Sequence, residues 1–394
     1  MGLGYGDEGK GMAVAFETAR ALAFGLEPVN VRFNGGPQAA HNVRIKRDDG
    51  TVMHHTHSQF GSGTMLGAKT ILTDGMLFDP LALRPELTHL QTILGRDVLL
   101  AVDPRCPVVL PIHVEANRAI ERARTNRHGS TGRGIGIARM CEHAVRSGDV
   151  SADYMIDVGT LFDYRALREK MDYWRSWIHA HQYVKVSQPN LVDVIDISSS
   201  MDTFSESGML MMTDTHQLVR DLMTDGRHSV IFEGSQGIML DARYGDFPHV
   251  TYGDMTAQGV YKVVGDELWD RVDIMGVTRS YVTRHGMGSM PNEGTADVPE
   301  KDNETYEWAG AFRTGILDLR ELWNGVYFSR AKEVAVSCLD RYPGRYTCLT
   351  KVGECSSEVL PHEDEDIVGA IERECYVPVT VTGRGETLDM WKDI

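Results

Sequence analysis

The sequence predicts an α/β fold, with one large domain over residues 1–394 built on a mainly parallel central sheet. Three observations predict it. Short apolar runs alternate with longer stretches of helical periodicity. Several of these runs carry consecutive β-branched residues, as strands covered on both faces do. The first eleven residues hold a glycine-rich loop that opens a helix. No Pro/Ser-rich linker divides the chain, and no repeat of about 20–50 residues suggests a solenoid.

The predicted strands are Pro28–Phe33, Lys69–Leu72, Val98–Val102, Ser229–Glu233, Asp273–Val277, Glu333–Cys338 and Val377–Val381. Polar residues or glycines bound most of them. The predicted helices are Gly11–Phe24, Pro80–Leu90, Ile112–Arg124, Tyr164–Val184, Ser205–Thr224 and Glu363–Glu374. Residues 138–225 read as a mainly helical subregion beside the sheet. Tyr173, Trp174 and Trp177 fall at helical spacing and read as packing, as do Met209, Met211 and Met212. The acidic run Glu363-Asp364-Glu365-Asp366 reads as a solvated helix start that complements the helix dipole.

The 394 residues carry 56 acidic and 40 basic side chains, a net charge of −16. That balance disfavours direct nucleic-acid binding, which needs an excess of Lys and Arg. It leaves room for a phosphate site where a few cations are concentrated. A hydrophobic share of 42% with 24% charged residues is that of a folded globule. Six scattered cysteines without a C-x-x-C pair read as reduced, cytoplasmic thiols. Cys338 reads as a small buried side chain. No apolar signal region and no apolar run of membrane-spanning length is expected.

Gly4-Tyr5-Gly6-Asp7-Glu8-Gly9-Lys10-Gly11 fits two templates. Gly4, Gly6 and Gly9 match the dinucleotide fingerprint, but only three residues precede Gly4 and the fingerprint needs a strand there. Gly4 to Lys10 also matches a P-loop up to its last position, where Gly11 replaces the Ser or Thr that ligates magnesium. Such a loop turns backbone N–H groups toward phosphate and aims a lysine at its charge. Asp7 is then the natural metal ligand. This second template makes the domain P-loop-NTPase-like. The first would make the protein an NAD-dependent oxidoreductase, with Glu27 as a loosely placed acidic partner.

Further glycine motifs follow: Asn34-Gly35-Gly36-Pro37-Gln38-Ala39-Ala40-His41-Asn42, then Gly129-Ser130-Thr131-Gly132-Arg133-Gly134-Ile135-Gly136, then Phe232-Glu233-Gly234-Ser235-Gln236-Gly237. Backbone N–H, hydroxyl and guanidinium groups are the usual donors to phosphate oxygens. In this order, with Leu240-Asp241, Pro248-His249-Val250-Thr251, Arg313-Thr314-Gly315-Ile316-Leu317-Asp318 and Leu339-Asp340, they resemble the adenylosuccinate synthetase family. The likeness runs from residue 4 to about 385.

The resemblance implies a homodimeric carbon–nitrogen ligase. A nucleoside triphosphate phosphorylates O6 of a 6-oxopurine monophosphate, and the amino group of L-aspartate then displaces the phosphate. Asp7 would be the general base at N1 and a magnesium ligand. His41 would be the acid near the γ-phosphoryl group, and Lys10 would neutralise phosphate charge. Gln236 would act with them and help bind the purine monophosphate. Gln38, Ser130, Thr131 and Thr251 would line the same nucleotide, and Arg146 would reach its 5′-phosphate across the dimer interface. Gly9, Lys10, Gly11, Ala40, His41, Asn42, Asp340 and Gly383 would face the triphosphate. Ala40 would join Asp7 at the Mg²⁺, and Arg313 would hold aspartate.

Departures from the family pattern cluster in this site. Ala40 stands for a glycine, Gln38 for an asparagine and Cys338 for a lysine. The arginine-rich loop is reduced to Arg313. Losing an arginine beside the ribose removes a partner for a 2′-hydroxyl and relaxes the preference for that sugar. The pattern resembles the phage branch of the family, the 2-aminoadenylosuccinate synthetases. These condense dGMP with aspartate to N6-succino-2-amino-2′-deoxyadenylate, with ATP (or dATP or GTP) as donor, in the host cytoplasm. The alternative is an adenylosuccinate synthetase using IMP, aspartate and GTP. A regulator that has lost activity is disfavoured by the retained Asp7, Lys10, His41 and Gln236. His54, His55 and His57 also cluster, and in a strand His55 and His57 share a face. No nearby carboxylate or cysteine completes a metal set at local spacing, so packing is the preferred reading.

Overall fold

Glu27–Arg32 lies inside a five-stranded sheet, between Lys69–Leu72 and the edge strand His228–Glu233. Leu100–Val102 and Leu210–Met212 extend it, and every pairing is parallel. The computed structural model describes the chain except for residues 126–128, 183, 189–190, 299–306, 309, 343–344, 350–358 and 364–365. A second sheet carries parallel Met275–Arg279, Glu333–Ser337 and Val379–Gly383, with Trp391–Asp393 antiparallel at the edge.

The N-terminal residues join the two sheets. Gly2 bridges in parallel to both Gly237 and Val277, and Leu3 N–H donates to the Val277 carbonyl. The glycine loop is therefore preceded by a rudimentary strand, which its three leading residues did not suggest. That strand sits between larger ones, so its backbone is satisfied by neighbours rather than by its own length. Tyr281–His285 and Phe312–Asp318 form an antiparallel pair, extended by Arg345–Leu349 and Val359–Glu363. His41–Lys46 and Val52–His57 form a hairpin.

Helix Lys10–Ala23 starts from Gly9, whose φ of 90° is left-handed, and buries Met12, Ala13 and Ala15. Helix Pro80–Leu94 is capped by Asp79, which accepts from the Leu81 and Ala82 N–H groups, and stops at Gly95 with φ 63°. Helix Leu319–Ser329 is capped in the same way by Asp318. The largest core cluster runs from Met12 and Leu72 through Val102 to Trp174 and Ile178. Trp174 is buried there and donates to the Tyr154 carbonyl, so this aromatic group is packing.

Two segments differ in kind from expectation. Residues 205–224 are not one helix: Leu191–Glu206 ends, Leu210–Met212 forms the edge strand, and Thr215–Thr224 follows. Gly208, at φ 75°, ends the first helix, and Asp214 caps the second by accepting from Gln217 N–H. Met211 and Met212 are consequently exposed edge-strand residues, not helix core. The last helix begins at Ile367, because Asp366 accepts from Gly369 N–H. Glu363 belongs to the preceding strand, and 364–365 lie outside the described residues. No helix among the described residues is long and apolar enough to cross a membrane.

Candidate functional site

The glycine loop is closed by its own acid. The Glu8 carboxylate accepts from Gly4 N–H (3.1 Å) and Gly6 N–H (2.6 Å) and pairs with Lys10 Nζ at 2.9 Å. Lys10 also donates to the Gly6 carbonyl and is 3% exposed. The structure thus places the Lys10 ammonium beneath the loop, satisfied within it, because a buried cation without a partner is costly. Burial works to raise the Glu8 carboxyl, but Lys10 and the loop N–H groups hold it below its usual range. A Cβ on Gly11 would lie 3.0 Å from the Asn42 carbonyl oxygen and from His41 Cβ. The close approach of the hairpin accounts for glycine where a P-loop carries a hydroxyl.

His41 opens the hairpin and is buried. Its Nδ1 lies 2.5 Å from Glu233 Oε1, and its Nε2 lies 3.2 Å from the Ser235 carbonyl. Glu233 ends the strand beside Glu27–Arg32, in register with Arg32, and also accepts from Ser62 N–H and Oγ–H. Burial works to raise the Glu233 carboxyl. Arg32 and His41 outweigh it and hold it at about 2. Burial pushes His41 below the usual imidazole range, with the Glu233 carboxylate pulling the other way. Glu233 was not assigned a role from the sequence. Its signal was present, as it ends a strand inside a quoted motif.

Asp7 sits at the mouth of the loop, with His285 Nε2 3.4 Å from its Oδ2. His285 ends the Tyr281–His285 strand and carried no sequence signal. Gln236 stands against the same loop: a Cβ on Gly6 would fall 2.4 Å from its Oε1. Arg313 is next to Phe312, the strand partner of His285. Its Nη1 donates to the Gly288 carbonyl and pairs with Glu293, while its buried Nε and Nη2 have no partner among the described residues. Two buried guanidinium donors without acceptors suit an anionic ligand.

Around this centre the nucleotide motifs fall into two groups. Ser130 Oγ accepts from Asn117 and from Gly132 N–H, and Gly134 opens helix Ile135–Arg146 with φ 79°. Thr131 is exposed beside them. Gln38 packs close to Gly36, and both its amide atoms are buried without partners among the described residues. Thr251 N–H donates to the Leu240 carbonyl, just beyond Gln236. Arg146 lies at the far end of its helix, about 17 Å along the axis from Ile135. It is half exposed and paired with Glu142. Within one chain it is not brought to the Ser130 loop.

On the other side, Ser337 Oγ donates to the Glu8 carbonyl, and Leu339 N–H donates to the Gly383 carbonyl. Asp340 is exposed next to that contact. Asp340, Gly383 and the glycine loop are thereby assembled by two parallel strands. Cys338 is only half buried, at φ 60°, because its carbonyl accepts from Ser280 at the turn. Ala40 is exposed before the hairpin, and the Asn42 side chain accepts from Thr56 and meets His54 Nε2.

A parallel α/β sheet with a left-handed glycine at the head of its first helix defines a phosphate-handling class of protein. Comparison narrows the class. The family model for adenylosuccinate synthetase matches residues 1–347. The adenylosuccinate synthetase of Edwardsiella ictaluri is 31% identical over 407 residues, covering 100% of this chain and 87% of its own. That of Proteus mirabilis is 31% identical over 375 residues, covering 92% and 80%. The chain belongs to the adenylosuccinate synthetase family and is a carbon–nitrogen ligase. Two solved structures share its fold. Fully ligated adenylosuccinate synthetase from Plasmodium falciparum superposes with a TM-score of 0.76 at 19% identity, covering 100% of this chain and 98% of that one. Cyanophage S-2L succinoaminodeoxyadenylate synthetase, bound to dGMP and dATP as an energy donor, gives 0.66 at 20%, covering 100% and 93%. The family acts on a nucleoside monophosphate, aspartate and a nucleoside triphosphate.

Proposed function

We propose that this ligase condenses dGMP with L-aspartate, driven by ATP or dATP, to give N6-succino-2-amino-2′-deoxyadenylate. The observation that carries the reading is Gln38. Its buried carboxamide, without a partner among the described residues, offers a donor and an acceptor together, which the edge of a purine can satisfy. The single arginine at 313 and the loss of the lysine at Cys338 support it, as does the likeness in fold to the cyanophage enzyme with dGMP and dATP.

In this reading Asp7 removes the N1 proton, and the electron pair moves onto O6. O6 attacks the γ-phosphoryl group and the nucleoside diphosphate leaves. The aspartate amine then attacks C6, and phosphate departs with O6. His41 holds a proton toward the transferring phosphoryl, oriented by Glu233, and Gln236 positions the purine against the loop. Arg313 receives an aspartate carboxylate on its two open donors. Ser130, Thr131 and Thr251 hold the monophosphate, and Arg146 reaches it from a partner subunit. Gly9, Lys10, Gly11, Asn42, Asp340 and Gly383 bound the donor. The Asp7 carboxylate and the Ala40 carbonyl are hard oxygen donors, which fit Mg²⁺. Such an ion, when bound, offsets triphosphate charge. We place the whole chain in one catalytic domain, working in the cytoplasm.

The alternative substrates, IMP and GTP, are favoured by the bacterial relatives, which carry the adenylosuccinate synthetase name at about 30% identity. Mass spectrometry of products from purified protein, aspartate and Mg²⁺ separates the two. IMP, GMP and dGMP are crossed with ATP, dATP and GTP. A succinylated product from dGMP is expected. Product from IMP but not dGMP overturns the substrate assignment.

A further inference from the structure

We propose that His55, His57 and Glu86 form a second metal site, for one divalent ion of the zinc type, behind the hairpin that carries His41. His55 and His57 lie on the inner face of strand Val52–His57 and are 4% and 0% exposed. His54 and Thr56 face outward, onto Asn42. Helix Pro80–Leu94 contributes Glu86, buried, and His89, one turn further along. One ligand atom from each of His55, His57 and Glu86 falls within 4.8 Å of the others.

The second observation is unmet bonding. His55 Nε2 and both ring nitrogens of His57 are buried without a hydrogen-bond partner among the described residues. Buried polar atoms in a native fold are almost always paired, and those left over point to water or an ion. The other nitrogen of His55, Nδ1, meets His89 Nδ1 at 2.6 Å. A metal-bound imidazole commonly has such an orienting partner on its far side. His55 Nε2 is then directed to Glu86 Oε1 at 3.9 Å.

Glu86 is held rigidly, accepting from the Ser58, Gln59 and Phe60 N–H groups. Among the described residues its Oε2 takes one hydrogen bond, from Gln59, and keeps lone pairs for an ion. Two imidazoles and a carboxylate form a mixed nitrogen–oxygen set that suits Zn²⁺ and its neighbours better than Mg²⁺. Binding draws the ligand atoms in to roughly 3.3 Å, the edge of a tetrahedron with bonds near 2.0–2.1 Å. His57 is the cross-strand partner of His41. The ion would therefore clamp the His41 hairpin to the Glu86 helix, a positioning role.

Full-length protein is stripped with chelator, reloaded with Zn²⁺ or Co²⁺ under excess Mg²⁺, and gel-filtered. One retained equivalent by elemental mass spectrometry, a four-coordinate Co²⁺ absorption spectrum and a higher melting temperature are expected. His57→Phe and Glu86→Gln should abolish retention, with folding confirmed by circular dichroism. His89→Ala should weaken binding by about 10–100-fold. Asp7→Asn should leave it unchanged, which separates this site from the triphosphate site. Retention near zero in the unsubstituted protein overturns the proposal whatever the variants do. So does retention that survives both His57→Phe and Glu86→Gln, or that is lost in Asp7→Asn.

Discussion

His41 Nδ1 and Glu233 Oε1 stand 2.5 Å apart, although 192 positions separate them in sequence. Both nitrogens of the imidazole face acceptors, and only the protonated ring donates to both. Burial opposes that charge in the free protein. A bound triphosphate adds negative charge and should raise the His41 pKa. Nitrogen-15 NMR of the imidazole with and without ATP measures this; a downward shift contradicts it. His41→Asn should lower kcat by about 10²–10⁴-fold. Glu233→Gln should lower kcat with little change in the triphosphate KM.

Asp7→Asn should lose turnover by about 10²–10⁴-fold while retaining nucleotide binding by calorimetry. Unreduced turnover removes Asp7 from the chemistry. His285→Ala tests the neighbour at 3.4 Å and should have a smaller effect of the same kind.

Arg313→Ala should raise KM for aspartate by about ten- to a hundredfold, since hydrogen bonds to a charged group contribute about 1.5–3 kcal/mol. KM for the purine monophosphate should hardly move. An equal rise in both constants places Arg313 elsewhere.

Two carboxyls, buried Glu233 and half-buried Glu321, set opposite pH limits. Glu233 is held at about 2, against its usual 4.5, after burial is outweighed by Arg32 and His41. Its contribution is complete above pH 4.5 and fades as pH falls through about 2. Glu321, which accepts from the Tyr5 hydroxyl, is raised by burial to about 7. Its contribution is complete below pH 4.5 and fades as pH rises through about 7. Denaturant unfolding across pH should show the acid loss shrink in Glu233→Gln and the neutral loss shrink in Glu321→Gln. Unchanged profiles contradict these assignments.

The glycine loop, the parallel strands and the order of the motifs were legible in the sequence, because each rests on local spacing and turn chemistry. The family likeness also implied that Asp7, His41 and Gln236 share one site; the structure sets Gln236 against the Gly6 turn and His41 against the Ser235 carbonyl. The strand at Leu210–Met212 was not legible, since three residues at a sheet edge show no periodicity. Neither was the partner of His55 and His57, because Glu86 lies on a separate helix.

The sequence by itself determined the class of chemistry: a short acidic and basic loop between glycines, and hydroxyl-rich turns at strand ends. Tertiary structure decided which charges meet. It buried Lys10 against Glu8, set Glu233 behind His41 and left two donors of Arg313 without acceptors among the described residues. The physical reason is that a side chain's charge state and reach depend on burial and on neighbours brought from distant strands. Spacing along the chain records neither.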